Sequence, residues 1–392
     1  MELKISARNR SVVLLMLVIP LLLTGCWDRN EIEETGIALG VGIDFPDGQE
    51  EGARPIIAMT HQFALPNQFS ESTSSKVQKD YVNMSSAGPI VFDNIRALST
   101  RSARPPNYEH LQVIVISEKA ARELDLKNVI NFFLRNTETR RSIRVVISHG
   151  KASDIYQQQK STKTPALELR ELTDNYRKTL RIPPALTLGN MSEHLTGQSS
   201  FVMQGAANSP EGVKLTSAAV IRGTTARMIG FLSEIETVGL NWLLGNNHSN
   251  GIVEGIEPDS GAMLGYEVRK MTSSIQPIVQ GNEISFQVKI KTTGKLREDW
   301  AFPGDAFDVD FIDRAEKATA AMIKQMAEKA LAKTQRQYKV DVAGFGKRLS
   351  IKKPAVWKRV KDGWEDRFSR VPVSIEVEVD IQEFGTRGTK RN

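Results

Sequence analysis

The hydrophobic and polar positions fall into distinct textures along the chain. Val12 to Leu23 is continuously apolar, broken only by Pro20. Ile37 to Asp44 is a short apolar run followed by Pro46-Asp47-Gly48, which predicts a buried strand and a turn. Pro55 to Phe63 predicts a second strand beside it, and Asp80 to Ser85 a third. Between them, Phe69 to Lys79 is polar and serine-rich, a loop composition. After Pro89 the period changes: Ile90, Phe92, Ile95 and Leu98 recur at helical spacing. His110 to Ser117 is again a continuous apolar strand, and Ser117 is placed to cap a helix over Glu118 to Leu124. A helix over Leu126 to Arg135, a strand over Ser142 to Ser148 and a short helix over Ala152 to Gln159 follow. Strands alternating with helices predict an α/β or α+β arrangement for this part.

Lys160 to Pro165 reads as a linker. Ala166, Leu169, Leu172 and Tyr176 then mark a helix stopped by Pro183-Pro184, and Leu186 to Thr196 a second one. Residues 197–213 carry no clear period. Beyond them strands dominate: Thr216–Ile221, Ala226–Leu232, Gly251–Glu257, Leu264–Ser274 and Glu283–Lys291, the last alternating strictly so that one face is wet. A helix over Ser233 to Leu244 interrupts them. The longest predicted helix, Phe311 to Tyr338, is capped by Asp308 or Asp310 and buries Ile312, Ala315, Thr319, Met322, Ile323, Met326 and Ala330. Val371 to Ile381 alternates as a half-buried strand, and Gly385 to Asn392 is a short basic tail. The expected fold is therefore α+β, a multi-domain mixed body whose long C-terminal helix packs on an antiparallel-rich sheet. The expected domains are residues 26–160 (α/β), 161–213 (a helical connector or small middle domain) and 214–385 (α+β), with a disordered tail over 386–392.

The first apolar run changes how the rest is read. Lys4, Arg8 and Arg10 precede it, and Leu23-Thr24-Gly25-Cys26 ends it. A charged start, a short apolar core and small residues before the cut describe an export signal over residues 1–25. Such a run spans about 18 Å as a helix, short of a membrane core about 30 Å thick. Cys26 is the expected lipidation site, an S-diacylglycerol, N-palmitoyl cysteine exposed at the new terminus. More than one acyl chain makes anchoring stable where a single chain gives marginal binding.

Composition narrows the chemistry. Cys26 is the single cysteine, so once it is acylated neither a disulfide nor a cysteine metal site remains. Removing Lys4, Arg8, Arg10 and Glu2 takes the formal charge from +6 to about +4, a mild excess that suits an anionic membrane surface and does not point to nucleic acid. The charge is unevenly spread: Lys347 to Lys361 holds seven basic residues and no acid, with Trp357 and Trp364 nearby. The histidines, His61, His110, His149, His194 and His248, are scattered. No serine-nucleophile elbow is present, and Gly344-Phe345-Gly346-Lys347-Arg348 lacks the spacing of a phosphate loop. Gly40 and Gly42 are expected to allow close backbone packing. No catalytic, cofactor-binding or metal-binding residue is assigned.

Taken together, these residues resemble the Ger(x)C family, the C-subunit lipoproteins of spore germination receptors. The resemblance lies in Cys26-Trp27-Asp28 with Glu31-Ile32 and Gly42-Ile43-Asp44, then His110 to Ser117 with Asn131 to Asn136. It continues in Thr237 to Gly245, Asp341-Val342-Ala343-Gly344-Phe345-Gly346, Trp357-Lys358, Trp364 and Val371 to Gly385. It implies a three-domain mixed body and a non-enzymatic subunit of a nutrient germinant receptor. It further implies anchoring through Cys26 on the outer face of the cytoplasmic membrane, which becomes the spore inner membrane. The implied partners are membrane lipid and the multi-spanning A-type and B-type receptor subunits. The competing reading is an extracytoplasmic solute-binding lipoprotein, which would need two matched lobes around a cleft.

Overall fold

A computed structural model describes residues 35–49, 54–65, 80–157, 164–245, 251–257, 260–300 and 309–383. The export signal, Cys26, the polar stretch Phe69–Lys79, Asp308 and the basic tail lie outside these residues.

The first layer is a nine-stranded mixed sheet. Its strands are β1 (Gly36–Asp44), β2 (Ile57–Ala64), β3 (Tyr81–Gly88), β4 (Pro106–Asn107), β5 (Val113–Ser117), β6 (Arg144–Ser148), β7 (Phe201–Ser209), β8 (Gly212–Arg222) and β9 (Arg227–Leu232). The order is β3-β2-β1-β5-β6-β7-β8-β9, with β4 paired to β1. The centre, β1-β5-β6-β7, is parallel, and both flanks are antiparallel. Parallel strands need long crossovers, and the helices supply them. The helices are α1 (Val91–Leu98), α2 (Glu118–Glu123), α3 (Leu126–Arg135), α4 (Ala152–Tyr156), α5 (Pro165–Thr173) and α6 (Leu188–Thr196).

Continuous apolar strands follow from cover on both faces. Ile114 and Ile116 of β5 face the core shared with α1, α2, α3 and α6. Val113 and Val115 face the opposite core, made with Tyr156 and Leu169 of α4 and α5. Ser117 caps α2 as expected, its hydroxyl accepting from the Ala120 amide at 3.2 Å. Residues 197–213 contain β7 and the start of β8. Gly205 and Ala206 pair with Ile147 and Ser148, so the segment without a legible period completes the parallel centre.

The second layer is a four-stranded sheet, β10 (Ile252–Ile256), β11 (Met263–Gln280), β12 (Glu283–Asp299) and β13 (Val373–Glu383), in that order. β10-β11-β12 is antiparallel and β13 joins β12 in parallel. β11 and β12 form a far longer hairpin than their alternation alone predicts, because pairing continues past the polar residues Thr272 to Gln276 and Thr292 to Lys295.

The long helix α8 (Val309–Leu331) continues through seven wider π-type residues to Tyr338 and ends at Lys339, which adopts φ +51°. Its buried seam is Phe311, Ala315, Ala318, Thr319, Ile323, Ala327, Ala330 and Leu331. Met322 and Met326 are partly buried at the margin, and alanines occupy the centre, because the helix lies close to its neighbours. Asp310 sits within the first turn rather than at the cap.

Helix α7 (Glu234–Leu244) joins the layers. It starts with a Ser233–Glu236 capping box and ends on Gly245 at φ +62°. Leu240, Trp242 and Leu243 are buried in one core with Ala218 and Val220 of the first sheet and Met271 and Phe286 of the second. From Thr237 to Leu243 every residue of α7 is buried, and its exposed residues, Glu234 and Ile235, lie in the first turn. Gly239 makes the crossing with α8 possible: a β-carbon there would overlap the Met326 carbonyl.

Candidate functional site

The sequence features singled out by the resemblance converge on a few structural joints. In β1, Gly40 and Gly42 leave room for the Tyr156 ring, which would lie 2.6 Å from a β-carbon on Gly40. The Tyr156 hydroxyl donates to the Val41 carbonyl at 3.2 Å. Asp44, at the end of the same strand, accepts from the amides of Ala152 and Ser153 at 2.7 and 3.0 Å and so caps α4. Gly42-Ile43-Asp44 therefore locks α4 against the sheet.

Asn241 plays a similar part in α7. Its amide donates to the carbonyls of Leu180 and Ile182 at 2.8 and 2.9 Å, tying the connector after α5 to the inter-sheet helix.

The third joint is a compact corner formed by three short helices, α9 (Phe345–Lys352), α10 (Pro354–Val360) and α11 (Trp364–Phe368). Asp341 organises it. One carboxylate oxygen accepts from the amides of Gly344 and Phe345 at 2.8 and 3.0 Å. The other accepts from the Gly346 amide at 2.6 Å and from the Trp364 indole at 2.9 Å. Burial pushes this carboxyl above its ordinary range, and the four N–H donors oppose the shift. Gly344 takes φ +83° and so tolerates the tight entry into α9. Gly346 leaves space for the Trp364 indole, which would lie 2.6 Å from a β-carbon on that residue. Phe286 meets Phe345 and Trp364 edge to face, half-buried Trp357 meets Trp364 in the same way, and Phe368 lies tilted against Phe345 and Trp364. The phosphate-loop-like Gly344-Phe345-Gly346 run is thus filled by the chain's own carboxylate.

This corner is bolted to the first sheet. Glu365 of α11 accepts from the Ser200 hydroxyl and pairs with Arg222 at 3.2 Å. Arg222 also donates to the Tyr338 carbonyl at 2.7 Å, and the Tyr338 hydroxyl reaches the Phe231 carbonyl at 2.8 Å. Burial raises the Glu365 carboxyl, while Ser200 and Arg222 hold it down. Among the described residues the two sheets are therefore linked by α7 and by this polar seam.

The outer face of the corner is basic. Lys347, Arg348 and Lys352 on α9 are all exposed, as are Lys353, Lys358, Arg359 and Lys361 around α10. None of the seven forms an ion pair with a described residue. The wet face of the second sheet behaves differently. There Lys289 pairs with Glu376 at 3.2 Å and Lys291 with Glu378 at 2.6 Å, and Lys295, Arg269 and Arg297 are likewise mated to carboxylates.

Three of the described histidines are built into the packing. His61 is wholly buried, stacked on Phe63, and shares a 2.9 Å hydrogen bond with the Tyr108 hydroxyl. Burial pushes its pKa down to about 3. His149 meets the Ser217 hydroxyl at 2.8 Å and stacks on Phe231, and His194 meets Ser199 and stacks on Phe201. His110 is exposed ahead of β5, and His248 lies outside the described residues. Among the described residues no group of histidine, aspartate and glutamate side chains is arranged to hold a metal. No described helix is long and apolar enough to cross a membrane. A surface cavity of about 690 Å³ lies within the first layer between β2, α1 and α3, with Ile57, Ile90, Phe92, Phe132, Arg135 and Arg227 among its lining residues. It does not lie between matched lobes.

Comparison with known proteins places the chain in a family. Residues 28–205 match a family described as the spore germination protein N-terminal domain, and residues 216–385 match the spore germination B3/GerAC-like C-terminal family. The chain belongs to the spore germination GerAC family. It is 34% identical to spore germination protein YndF of Bacillus subtilis (strain 168), with 98% of each chain covered. Spore germination proteins B3 and A3 of the same strain are each 28% identical, covering 98% and 97% of this chain and 99% of theirs. The crystal structure of the GerBC protein shares the fold, with a TM-score of 0.60 at 22% identity over 89% of this chain and 99% of that one. The GerAC match spans both layers, and the multi-domain α+β architecture expected from the sequence is the one observed.

Proposed function

We propose that this protein is the lipid-anchored C-subunit of a nutrient germinant receptor and has no catalytic role of its own. In this reading Cys26 carries the lipid and holds the body on the outer face of the cytoplasmic membrane, later the spore inner membrane. The observation that carries the proposal is the family match over both layers, joined to the Leu23-Thr24-Gly25-Cys26 signal immediately before it. The internal architecture supports a docking role. The wholly buried amides of Asn94, Gln204 and Asn241 and the less enclosed carboxylates of Asp44 and Asp341 are spent on backbone carbonyls and amides rather than aimed at a shared cavity. A rigid body tethered at one end gains effective concentration toward partners in the same membrane, here the A-type and B-type subunits.

Cys26→Ala tests the anchor. The expected outcome is loss of metabolic labelling by an alkyne fatty acid, release of the protein from the membrane fraction and impaired nutrient germination, with the circular dichroism of the purified body unchanged. Full germination with the protein released would refute the anchoring role. Recovery of multi-spanning partners by co-purification from spore membranes tests the receptor assignment separately.

A further inference from the structure

We propose that the α9–α10 corner is a second membrane contact, a basic surface that lies against anionic phosphate headgroups. This deepens the anchored reading above, because a lipid at Cys26 would hold the same body beside such a surface.

Three observations carry it. The first is charge without neutralisation. Seven exposed cations fall within residues 347–361, and no acid occurs among them. The acids that follow on the α11 side, Asp362 and Asp366, are exposed and form no ion pair with any of the seven. The same domain shows what an ordinary cationic face looks like: on the second sheet Lys289 and Lys291 each face a glutamate one strand away. Seven like charges on one small corner create a positive potential that attracts an anionic counterpart. The second observation is apolar exposure among those charges. Ile351 is 59% exposed on the solvent face of α9, between Lys347 and Lys352. Trp357 on α10 is half-buried, packed on Trp364. Cations flanking an exposed aliphatic side chain, with an indole close by, are the residue pattern of helices that lie in a headgroup layer. The third is rigidity. The Asp341 carboxylate and the aromatic cluster fix α9 and α11, and Glu365 fixes the corner to the first sheet. A contact made here would therefore orient the whole body rather than a loose arm.

An acidic protein is the alternative counterpart. The exposed Ile351 among the cations favours the headgroup layer, which accommodates an aliphatic side chain together with the charges around it.

The test uses the chain from residue 26 with Cys26→Ser, so that no lipid contributes. It is mixed with phosphatidylcholine vesicles with and without phosphatidylglycerol, and bound protein is read by flotation. Binding is expected only to the anionic vesicles and should fall as salt rises. The quadruple variant Lys347→Gln, Arg348→Gln, Lys352→Gln, Lys353→Gln should lose about fivefold in partitioning per cation, several-hundredfold together. All four positions are exposed, and unchanged circular dichroism checks the fold. The control pair Lys289→Gln, Lys291→Gln should bind like the parent. In the parent, the amides of residues 347–361 should gain hydrogen-exchange protection on anionic vesicles. Absence of anionic binding by the parent would overturn the proposal. So would equal binding by the quadruple variant, or retention by an immobilised acidic polypeptide without vesicle binding. Acylation at Cys26 is read independently, so the anchor and this surface can fail separately.

Discussion

Removing the Asp341 carboxylate should unfasten the C-terminal corner. In Asp341→Ala four N–H donors, from Gly344, Phe345, Gly346 and Trp364, lose their acceptor at once. A hydrogen bond to a charged group contributes about 1.5–3 kcal/mol, but the carboxylate also bears the cost of its own desolvation, and the four are not additive. The net loss expected is about 3–5 kcal/mol, the size seen when one partner of an enclosed charged network is deleted. Asp341→Asn discriminates the mechanism. Its carbonyl still serves Gly344 and Phe345, whereas its amide group confronts the N–H groups of Gly346 and Trp364. About half the network survives, with a loss of about 2–3 kcal/mol. Trp364→Phe removes one donor and leaves three, costing about 1.5–3 kcal/mol including the lost indole volume. Chemical denaturation gives the totals. Hydrogen exchange gives the local effect, because the three amides become free to exchange when the acceptor is gone. Protection at those amides should fall at least a hundredfold in Asp341→Ala, which corresponds to about 3 kcal/mol. Unchanged protection there, or Asn as harmful as Ala, would refute the argument that the carboxylate holds the corner.

Gly239 and His61 are enclosed by the fold, whereas Gly281 lies in the exposed turn between β11 and β12. Gly239→Ala places a β-carbon inside the Met326 carbonyl and must push α7 and α8 apart, so it should cost about 3 kcal/mol or more in denaturation. Gly281→Ala, at φ +60° with open space around it, should cost only about 1 kcal/mol for the strained backbone. His61 predicts an acid sensitivity. Its folded pKa, about 3, lies below its ordinary value of 6.5 because burial disfavours the charged ring, and Nδ1 has no partner. Below pH 6.5 the unfolded chain therefore binds a proton that the folded chain does not, and stability falls with falling pH until the ring protonates in place. Between neutrality and about pH 4.5 this one group should remove about 3 kcal/mol. That increment should be missing from the pH dependence of His61→Phe, whatever its absolute stability; an identical acid slope in the two proteins would contradict a buried neutral imidazole.

Much of this architecture is written locally. The helix starts at Ser117 and Ser233, the buried run of β5 and the alternation of β13 each follow from side-chain period and capping chemistry within a few residues. The proposed anchor at Cys26, outside the described residues, rests on local features alone: a charged start, an apolar core and small residues in a row. Other features depend on partners far along the chain. Residues 201–209 have no strong strand pattern, yet they form a strand because β6 and β8 offer edges on either side. Where α7 crosses α8, the seam presents Ala327 rather than Met326, and the backbones meet so closely that a β-carbon on Gly239 would overlap the Met326 carbonyl. The glycines of β1 looked like places for backbone approach, and the structure fills them with the ring of Tyr156 from α4. The basic run at Lys347 to Lys361 was visible from composition. That its cations all reach solvent without an ion pair to a described residue, while Lys289 and Lys291 of the second sheet are paired, was decided only by folding. Period and capping act over one or two turns of chain. Close approach, ion pairing and the joining of two sheets depend on which distant segments the topology brings within a few ångströms, and no local pattern encodes that.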